Sequence, residues 1–385
     1  MTDRDDRPPK RGRKVRVDLR RNRAHTARDK KNWTRGHAED ESAAHDAPLT
    51  ESVRAKGDLS RKRTMVVGGD DAPIDAALLR AGTVAAVRGL VVDVDDGQHC
   101  WPCVVRRVLR TRLTAERQAL AVGDRVRFAP PPPGRAEEGV IAHVEPRRTS
   151  LTRQYEDRVQ VIAANVDQAL IVASADDPPL RPHLIDRYLV AAHKGGLRPV
   201  VVINKMDLDR EGFAQEVLSR YRAIGYAALA ASVVRPAGLD QFRDALRAQT
   251  SVIVGMSGVG KSTLLNAVDP ALGLRVGDIS AATGRGRHTT TTATLLRLSF
   301  GGYVVDTPGV RQFELAHVSS EELEAYFIEL VDLVSRCRFP DCTHLHEEDC
   351  AVTAAVNDGA IHPERYASYA KMMLERLDAE KRRYR

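Results

Sequence analysis

The sequence contains no apolar run that approaches the roughly 20 residues needed to cross a bilayer. Its first residues, MTDRDDRPPKRGRKVR, have no apolar centre, which argues against a secretory signal peptide. Only five cysteines are present, an odd number that cannot all pair, so a disulfide scaffold is not indicated. These absences favour a cytoplasmic protein without a membrane partner.

The charge balance is basic, because 59 Lys and Arg residues outnumber 52 Asp and Glu residues. A basic balance favours a polyanionic partner such as nucleic acid. Much of the excess lies near the start of the chain, in runs such as KRGRK at 10–14 and RRNR at 20–23. Few large apolar residues accompany these runs, so we expect 1–80 to be a basic extension without stable structure. It would either aid solubility or tether nucleic acid.

Three further segments differ in their hydrophobic pattern. Residues 81–150 contain short, valine-rich runs separated by Gly, Asp and Pro, which predicts a small β-barrel, most commonly an OB-fold. In 151–318, apolar strands alternate with amphipathic helices, as in a doubly wound and largely parallel sheet. The last segment, 319–385, is rich in helical patterns and is interrupted by a cluster of cysteines.

The stretch GMSGVGKS at 255–262 matches the phosphate-loop pattern GxxxxGK[ST], follows an apolar strand and opens a helical segment. Its glycines allow backbone N–H groups to surround phosphates, while Lys261 would neutralise them and the Ser262 hydroxyl would bind Mg²⁺. The candidate phosphate and Mg²⁺ ligands in this loop are Gly255, Ser257, Gly258, Val259, Gly260, Lys261, Ser262 and Thr263.

A second phosphate-side motif, DTPG at 306–309, follows the apolar strand YVV. Asp306 can hold Mg²⁺ through water, and the Gly309 N–H can meet the γ-phosphate. Between the two motifs lies GRGRHTTTTATL at 284–295, where a threonine is expected to complete the Mg²⁺ coordination of a switch loop. Thr289 and Thr290 both qualify for that role.

The stretch VVINKMDLD at 200–208 ends an apolar strand in the pattern NKxD. The Asp207 carboxylate can accept hydrogen bonds from N1–H and the amine of guanine, a pair that adenine does not offer. Asn204 would tie this loop to the phosphate loop, Lys205 would pack along the base, and Ser232 would begin a second base-side loop, SxxxxxGL.

The order of these motifs is unusual, because NKxD normally follows the phosphate loop and here precedes it. Strands of one sheet can be reconnected when the old termini lie close together, so a circular permutation preserves the site. No second NKxD follows DTPG. We therefore interpret the central segment as a circularly permuted GTPase domain.

The cysteine cluster has the composition of a metal site. Cys337, Cys342, His344 and Cys350 fall within fourteen residues and offer thiolate and imidazole ligands for one closed, structural Zn²⁺. His346 is an alternative fourth ligand. The remaining pair, in CWPC at 100–103, lacks the strand–helix context of a redox motif, and we interpret both cysteines as barrel residues.

Taken together, the sequence resembles the ribosome small subunit-dependent GTPase A family over roughly residues 82–375. The residues that carry the resemblance are GDRV at 123–126, NVDQALIVAS, LIDRYLVAA at 184–192, NKMDL, GMSGVGKSTLLN, GRHTTTT, DTPGVRQFEL and the Cys/His cluster. The resemblance implies an OB-fold, then a permuted GTPase domain, then a helical zinc-binding domain. It also implies GTP or GDP, Mg²⁺ and one structural Zn²⁺.

For function, the resemblance implies that GTP is hydrolysed during late maturation of the small (30S) ribosomal subunit, and that this subunit stimulates turnover. The implied partners are the small subunit and its rRNA. Val310 occupies the position where many GTPases carry a water-orienting glutamine, so we expect slow intrinsic hydrolysis. His288, in GRHTTTT, is the candidate catalytic residue. We expect a monomer.

Two other functions fit part of the pattern. One is a GTPase switch that acts on a protein partner without RNA. The other is an RNA-binding module whose nucleotide only stabilises the fold; the complete phosphate loop argues against it, while Val310 keeps it open.

Overall fold

The structure, a computed structural model, describes residues 13–18, 62–67, 79–106, 109, 120–131, 138–155, 158–274, 293–307, 315 and 318–383. Within these ranges, no helix combines the length and the apolar character needed to span a membrane. The chain divides into two compact units. In the first, β1 (Arg13–Asp18) pairs antiparallel with β2 (Lys62–Val67). Both strands lie within 1–80, where the sequence indicated no stable structure.

The second unit holds the remaining strands and the helices of the described residues. Its strands are β3 (Arg80–Arg88), β4 (Val91–Asp95), β5 (Cys100–Val105), β6 (Arg125–Ala129), β7 (Gly139–Val144), β8 (Ser150–Tyr155), β9 (Arg158–Ala164), β10 (Gln168–Ser174), β11 (Arg198–Asn204), β12 (Ala227–Ala230), β13 (Thr250–Val254), β14 (Thr294–Arg297) and β15 (Tyr303–Asp306). Its α-helices are α1 (Pro182–Lys194), α2 (Phe213–Ala223), α3 (Leu239–Leu246), α4 (Lys261–Val268), α5 (Ser320–Leu323), α6 (Val331–Val334), α7 (Ala351–Asn357) and α8 (Pro363–Arg383).

Strands β3 to β7 form a closed barrel in the order β3-β4-β5-β7-β6, and β6 pairs back onto β3. Only β5 and β7 run parallel among these pairings. The strands alternate because one face fills the interior: on β4, Val92 and Val94 are buried between half-exposed neighbours. The predicted small barrel is confirmed, and its strand arrangement fits an OB-fold.

The central sheet of the second unit has the order β12-β11-β10-β13-β15-β14. All its pairings are parallel except that of β14, which runs antiparallel to β15 and touches the barrel through one bridge to β3. In the chain, β8 and β9 come after the barrel strands and before β10, and they form an antiparallel hairpin that the sequence did not indicate. The doubly wound α/β arrangement is confirmed.

Both faces of this sheet are covered, which explains its continuous apolar runs. On β11, Val201 and Ile203 face the core that contains residues of α1 and α2, whereas Val200 and Val202 face the core that contains residues of α3 and α4. Strand β13, which precedes the phosphate loop, lies in the middle of this sheet, between β10 and β15.

The C-terminal segment, 318–383, is helical as expected, but two of its helices are single turns. Helix α5 begins with a capping box between Ser319 and Glu322, a 3₁₀ turn follows it directly, and α6 spans only Val331–Val334. The long helix α8 packs against α1 and α5. This packing joins the C-terminal segment to the core that contains α1 and α2.

Candidate nucleotide site and metal centre

The phosphate loop connects the end of β13 to the first residue of α4, Lys261. Two of its glycines have positive φ and no room for a side chain. A Cβ on Gly255 (φ +144°) would lie 2.1 Å from the Val172 carbonyl oxygen on β10, and one on Gly260 (φ +89°) would lie 2.5 Å from Nδ2 of Asn204. The loop therefore packs against the neighbouring strands in a conformation that requires glycine.

Lys261 is held inside this loop. Its side chain is 8% exposed, and Nζ donates to the carbonyl oxygens of Gly255 at 3.0 Å and Met256 at 2.9 Å. Burial lowers the pKa of the Lys261 ammonium, and the negative charge of Asp306 opposes that shift. A buried cation at a helix N-terminus, surrounded by loop backbone, is suited to phosphate oxygens.

Asp306 ends β15, the strand beside β13, and pairs in register with Ile253. Burial raises the pKa of the Asp306 carboxyl, while Lys261 opposes the shift. The neighbouring Thr307 is buried and donates to the Ile253 carbonyl at 2.7 Å, which fixes the chain where it leaves the strand. The carboxylate thus lies at the same edge of the sheet as the phosphate loop.

The remaining phosphate-side candidates have different surroundings. Ser257 is exposed, whereas Ser262 and Thr263 are half-buried in the first turn of α4. Gly309 and the switch residues His288, Thr289 and Thr290 lie outside the described residues.

Asn204, the last residue of β11, connects the NKMD loop to the phosphate loop. It is 3% exposed, and its Nδ2 donates to the Val259 carbonyl at 2.9 Å. Its Oδ1 is buried and has no hydrogen-bond partner among the described residues. A buried acceptor without a partner is costly, so a donor from a ligand at this point would stabilise the site.

The other NKMD residues also contact neighbouring loops. Lys205 has a positive φ of 58°, and its Nζ donates to the carbonyl oxygen of Asp177, which follows β10. Asp207 lies in a 3₁₀ turn and accepts a hydrogen bond from Ser232 Oγ at 2.5 Å. The loops after β10, β11 and β12 therefore meet at the carboxyl edge of the sheet, where open α/β sheets bind ligands.

Four side chains of the C-terminal segment form a cluster in which all ligand atoms lie within 4.8 Å of one another: Cys337, Cys342, His344 and Cys350. His344 Nδ1 lies 3.5 Å from Cys337 Sγ and 3.3 Å from Cys350 Sγ, and the two sulfurs are 3.9 Å apart. Tetrahedral zinc with ordinary bond lengths places ligand atoms about 3.6–3.8 Å apart. The cluster fits one Zn²⁺, and His346 is exposed outside it.

Two further contacts orient the cluster. His344 Nε2 lies 2.9 Å from a Glu324 carboxylate oxygen, so Nδ1 is the nitrogen that faces the sulfurs. Cys350 caps α7. Burial raises the pKa of Cys342 to about 12. Burial also raises the pKa of Cys350, but opposing hydrogen bonds, that of the Thr353 backbone foremost, lower it to about 7. A thiolate is the form that binds metal.

The other two cysteines lie apart from this cluster, on β5. Cys103 is fully buried in the barrel and pairs with Val92, whereas Cys100 is exposed and pairs with Asp95. Three residues apart on one strand, their side chains face opposite sides, so the pair is not arranged as a disulfide.

Sequence reasoning missed two residues of these sites, Asp177 and Glu324. Asp177 could have been found, because it follows a buried strand at the edge where the motifs gather. Nothing in the sequence marks Glu324, which reaches His344 across twenty positions.

Comparison with known proteins adds to this geometry. Residues 144–316 match the family model described as RsgA GTPase. A relative from Pseudomonas aeruginosa (strain LESB58), named small ribosomal subunit biogenesis GTPase RsgA, is 41% identical over 328 residues that cover 84% of this chain and 91% of the relative. The protein of the same name from Chlorobaculum parvum is 41% identical over 308 residues, which cover 77% of this chain and 98% of that one.

Two solved structures share the fold. YjeQ from Thermotoga maritima has a TM-score of 0.63 and 36% identity, and the match covers 78% of this chain and 99% of YjeQ. YloQ, described as a circularly permuted GTPase, has a TM-score of 0.60 and 30% identity, with 80% and 99% coverage. The comparisons thus support the permuted order that the motif sequence indicated.

Proposed function

This chain belongs to the RsgA family of GTPases, and from that premise we propose that it binds the small ribosomal subunit and hydrolyses GTP during late maturation of that subunit. One observation carries the nucleotide part of the proposal. The Asn204 side chain donates to the Val259 carbonyl, so the NKMD loop is attached to the phosphate loop despite the inverted chain order. The subunit part rests on the names of the relatives.

On the phosphate side, we assign the backbone of 255–260 and Lys261 to the β- and γ-phosphates of GTP. Ser262, Asp306 and one of Thr289 and Thr290 would hold Mg²⁺, which when bound would neutralise charge on the phosphates. Gly309 would donate its N–H to the γ-phosphate. On the base side, Asp207, held by Ser232, would accept the two donors of guanine, and Lys205 would pack along the base.

For hydrolysis, we propose that His288 orients or deprotonates the attacking water. Val310 follows the DTPG glycine, and its side chain has no group that could hydrogen-bond to water. Intrinsic turnover would therefore be slow, and binding of the subunit would accelerate it by bringing His288 into place.

For partner binding, we propose that the barrel (81–150) and the zinc-binding domain (319–385) contact rRNA on either side of the GTPase domain (151–318). Contacts from Lys and Arg to phosphates make such docking sensitive to salt. Looped or single-stranded RNA suits an OB-fold better than duplex does. The protein would act as a monomer in the cytoplasm, with one structural Zn²⁺ in its Cys/His cluster.

A protein partner without RNA is the second candidate, and the charge on β4 favours it. Alternating with the buried Val92 and Val94, this strand carries two half-exposed carboxylates. Asp93 forms an ion pair with Arg88 at 2.8 Å, and Asp95 accepts a hydrogen bond from the Gly97 N–H. Asp95 is therefore the acidic group that β4 offers to a partner, and a carboxylate suits a basic protein surface better than RNA phosphates.

The test is GTP turnover by the purified full-length protein alone, with small subunits and with large subunits. Strong stimulation by small subunits only would support the proposal, and Lys261→Ala, which removes the phosphate-binding cation, controls for contaminating GTPases. Equal and slow turnover in all three mixtures would reject ribosomal stimulation and favour the protein partner.

A further inference from the structure

We propose that Arg365 is a positioning residue through which the C-terminal segment controls the affinity of the nucleotide site. The inference rests on the proposed nucleotide site and adds to it a specific connection from α8. Arg365 lies in the first part of α8, with only 3% of its side chain exposed. Its guanidinium joins two other parts of the chain, namely α1 and the turn before α6.

The contacts of this guanidinium use its whole fork. Nε and Nη2 donate to the two carboxylate oxygens of Glu329 at 2.6 and 3.0 Å, and Nη1 donates to Oδ1 of Asp186 on α1. The centroid of the Phe327 ring lies 4.5 Å from the guanidinium carbon of Arg365. A bidentate, buried arrangement of this kind fixes direction as well as distance, which the single ammonium of a lysine cannot do.

Asp186 depends on this contact. The carboxylate is 1% exposed, its Oδ1 also accepts from Tyr221 Oη at 2.7 Å, and its Oδ2 has no hydrogen-bond partner among the described residues. Removing Arg365 would leave a buried carboxylate with a single neutral donor. Such a charge is costly in place, so α1 would be expected to move until water reaches Asp186.

Helix α1 adjoins the nucleotide site in two places. At its N-terminus, the preceding loop carries Asp177, whose carbonyl oxygen accepts from Lys205 of the NKMD loop. On its buried side, Ile185 and Tyr188 line a small cavity together with Gly255 and other residues of the phosphate loop. Helix α1 and the phosphate loop thus line the same cavity, and the loop before α1 contacts the NKMD loop, so a displacement of α1 would act on both halves of the site.

Two other ion pairs link α1 to the C-terminal segment, but they are more exposed. Arg187 pairs with Glu375, and Lys194 pairs with Glu322, in each case with an acidic partner that is about a third or more exposed. Solvent screens such pairs, so each contributes little. Among the described residues, Arg365 thus provides the buried ionic contact between α8 and α1, and we assign to it the coupling of their positions. Coupling between two sites is reciprocal, so a partner that moves α8 would alter nucleotide affinity, and nucleotide would alter the affinity for that partner.

The test measures the dissociation constant and dissociation rate of a fluorescent GDP analogue on the full-length protein. We expect Arg365→Gln to weaken binding by about tenfold or more, within the range typical of coupled sites. Arg365→Lys keeps the charge but not the fork, and we expect partial recovery. The matched control is Val352→Ala, a core truncation on α7 that also lowers the melting temperature but should retain the wild-type dissociation constant.

Each outcome separates this inference from the proposed function. If the wild-type protein does not bind the analogue, the nucleotide site itself is wrong. If the wild type binds and Arg365→Gln binds equally well, or if Val352→Ala weakens binding as much as Arg365→Gln does, the positioning role is refuted. Should Arg365→Gln fail to fold, Glu329→Gln removes one arm of the same contact, and wild-type affinity in that variant would overturn the inference.

Discussion

Substitution of Asn204 by alanine tests the connection between the two halves of the site. The side chain is 3% exposed and donates to the Val259 carbonyl at 2.9 Å. Alanine removes that donor and leaves a buried carbonyl without its partner, at a cost of about 1–3 kcal/mol. If the phosphate loop relaxes to recover this energy, binding of GDP should weaken by roughly 5- to 150-fold.

Titration with a fluorescent GDP analogue, together with thermal unfolding, measures both parts of the effect. Asn165→Ala is the matched control, because Asn165 makes two comparable bonds, to the Gly123 carbonyl and from the Arg148 N–H, outside the nucleotide site. We expect that control to lose stability and to keep its affinity. An Asn204→Ala protein with wild-type affinity would refute the role of this contact, as would an equal loss of affinity in the control.

Further expectations concern the loop glycines, the metal and pH. Gly260→Ala should abolish nucleotide binding in a titration, because the new Cβ would lie 2.5 Å from the side-chain nitrogen Nδ2 of Asn204. At Gly273 a new Cβ would have nothing within 4 Å among the described residues, so Gly273→Ala should bind nucleotide normally. Cys350→Ser should reduce zinc per chain, measured by metal analysis, and lower the melting temperature, while Cys100→Ser should change neither. Because burial raises the pKa of Asp306 above its ordinary 3.8, the stability linked to its proton is present below that pH and is lost as pH rises. Asp306→Asn should therefore melt higher than wild type at neutral pH, and this advantage should shrink as the pH falls towards about 4; a constant difference would contradict the burial of this carboxylate.

Local sequence patterns predicted the strands that lead into the two nucleotide motifs. The strands before NKMD and before the phosphate loop are apolar runs followed by Gly, Asn or Asp, and both strands are present as β11 and β13. The permuted order could be inferred because the two motifs have the chemistry expected for two parts of one ligand, and the parallel sheet gathers their strand ends at one edge.

Features that depend on contacts between distant residues could not be predicted. Arg365 and Asp186 are 179 positions apart, and the sequence around each of them does not indicate that the two side chains pair. The lengths of helices could not be predicted either where contacts with the rest of the chain decide them. The charged segment after 318 has a helical pattern, yet α5 and α6 are single turns, and Glu324, in the 3₁₀ turn after α5, contacts His344.

The proposed nucleotide site requires that Asp207 reads guanine although its loop precedes the phosphate loop. The most direct measurement compares the dissociation constants of GDP, ADP and XDP for the wild-type protein and for Asp207→Asn. We expect the wild type to prefer GDP, and the amide, which can donate to the 2-oxo group of xanthine, to shift the preference to XDP. A wild-type protein that binds ADP as tightly as GDP, or a variant that retains its preference for GDP, would show that Asp207 does not read guanine.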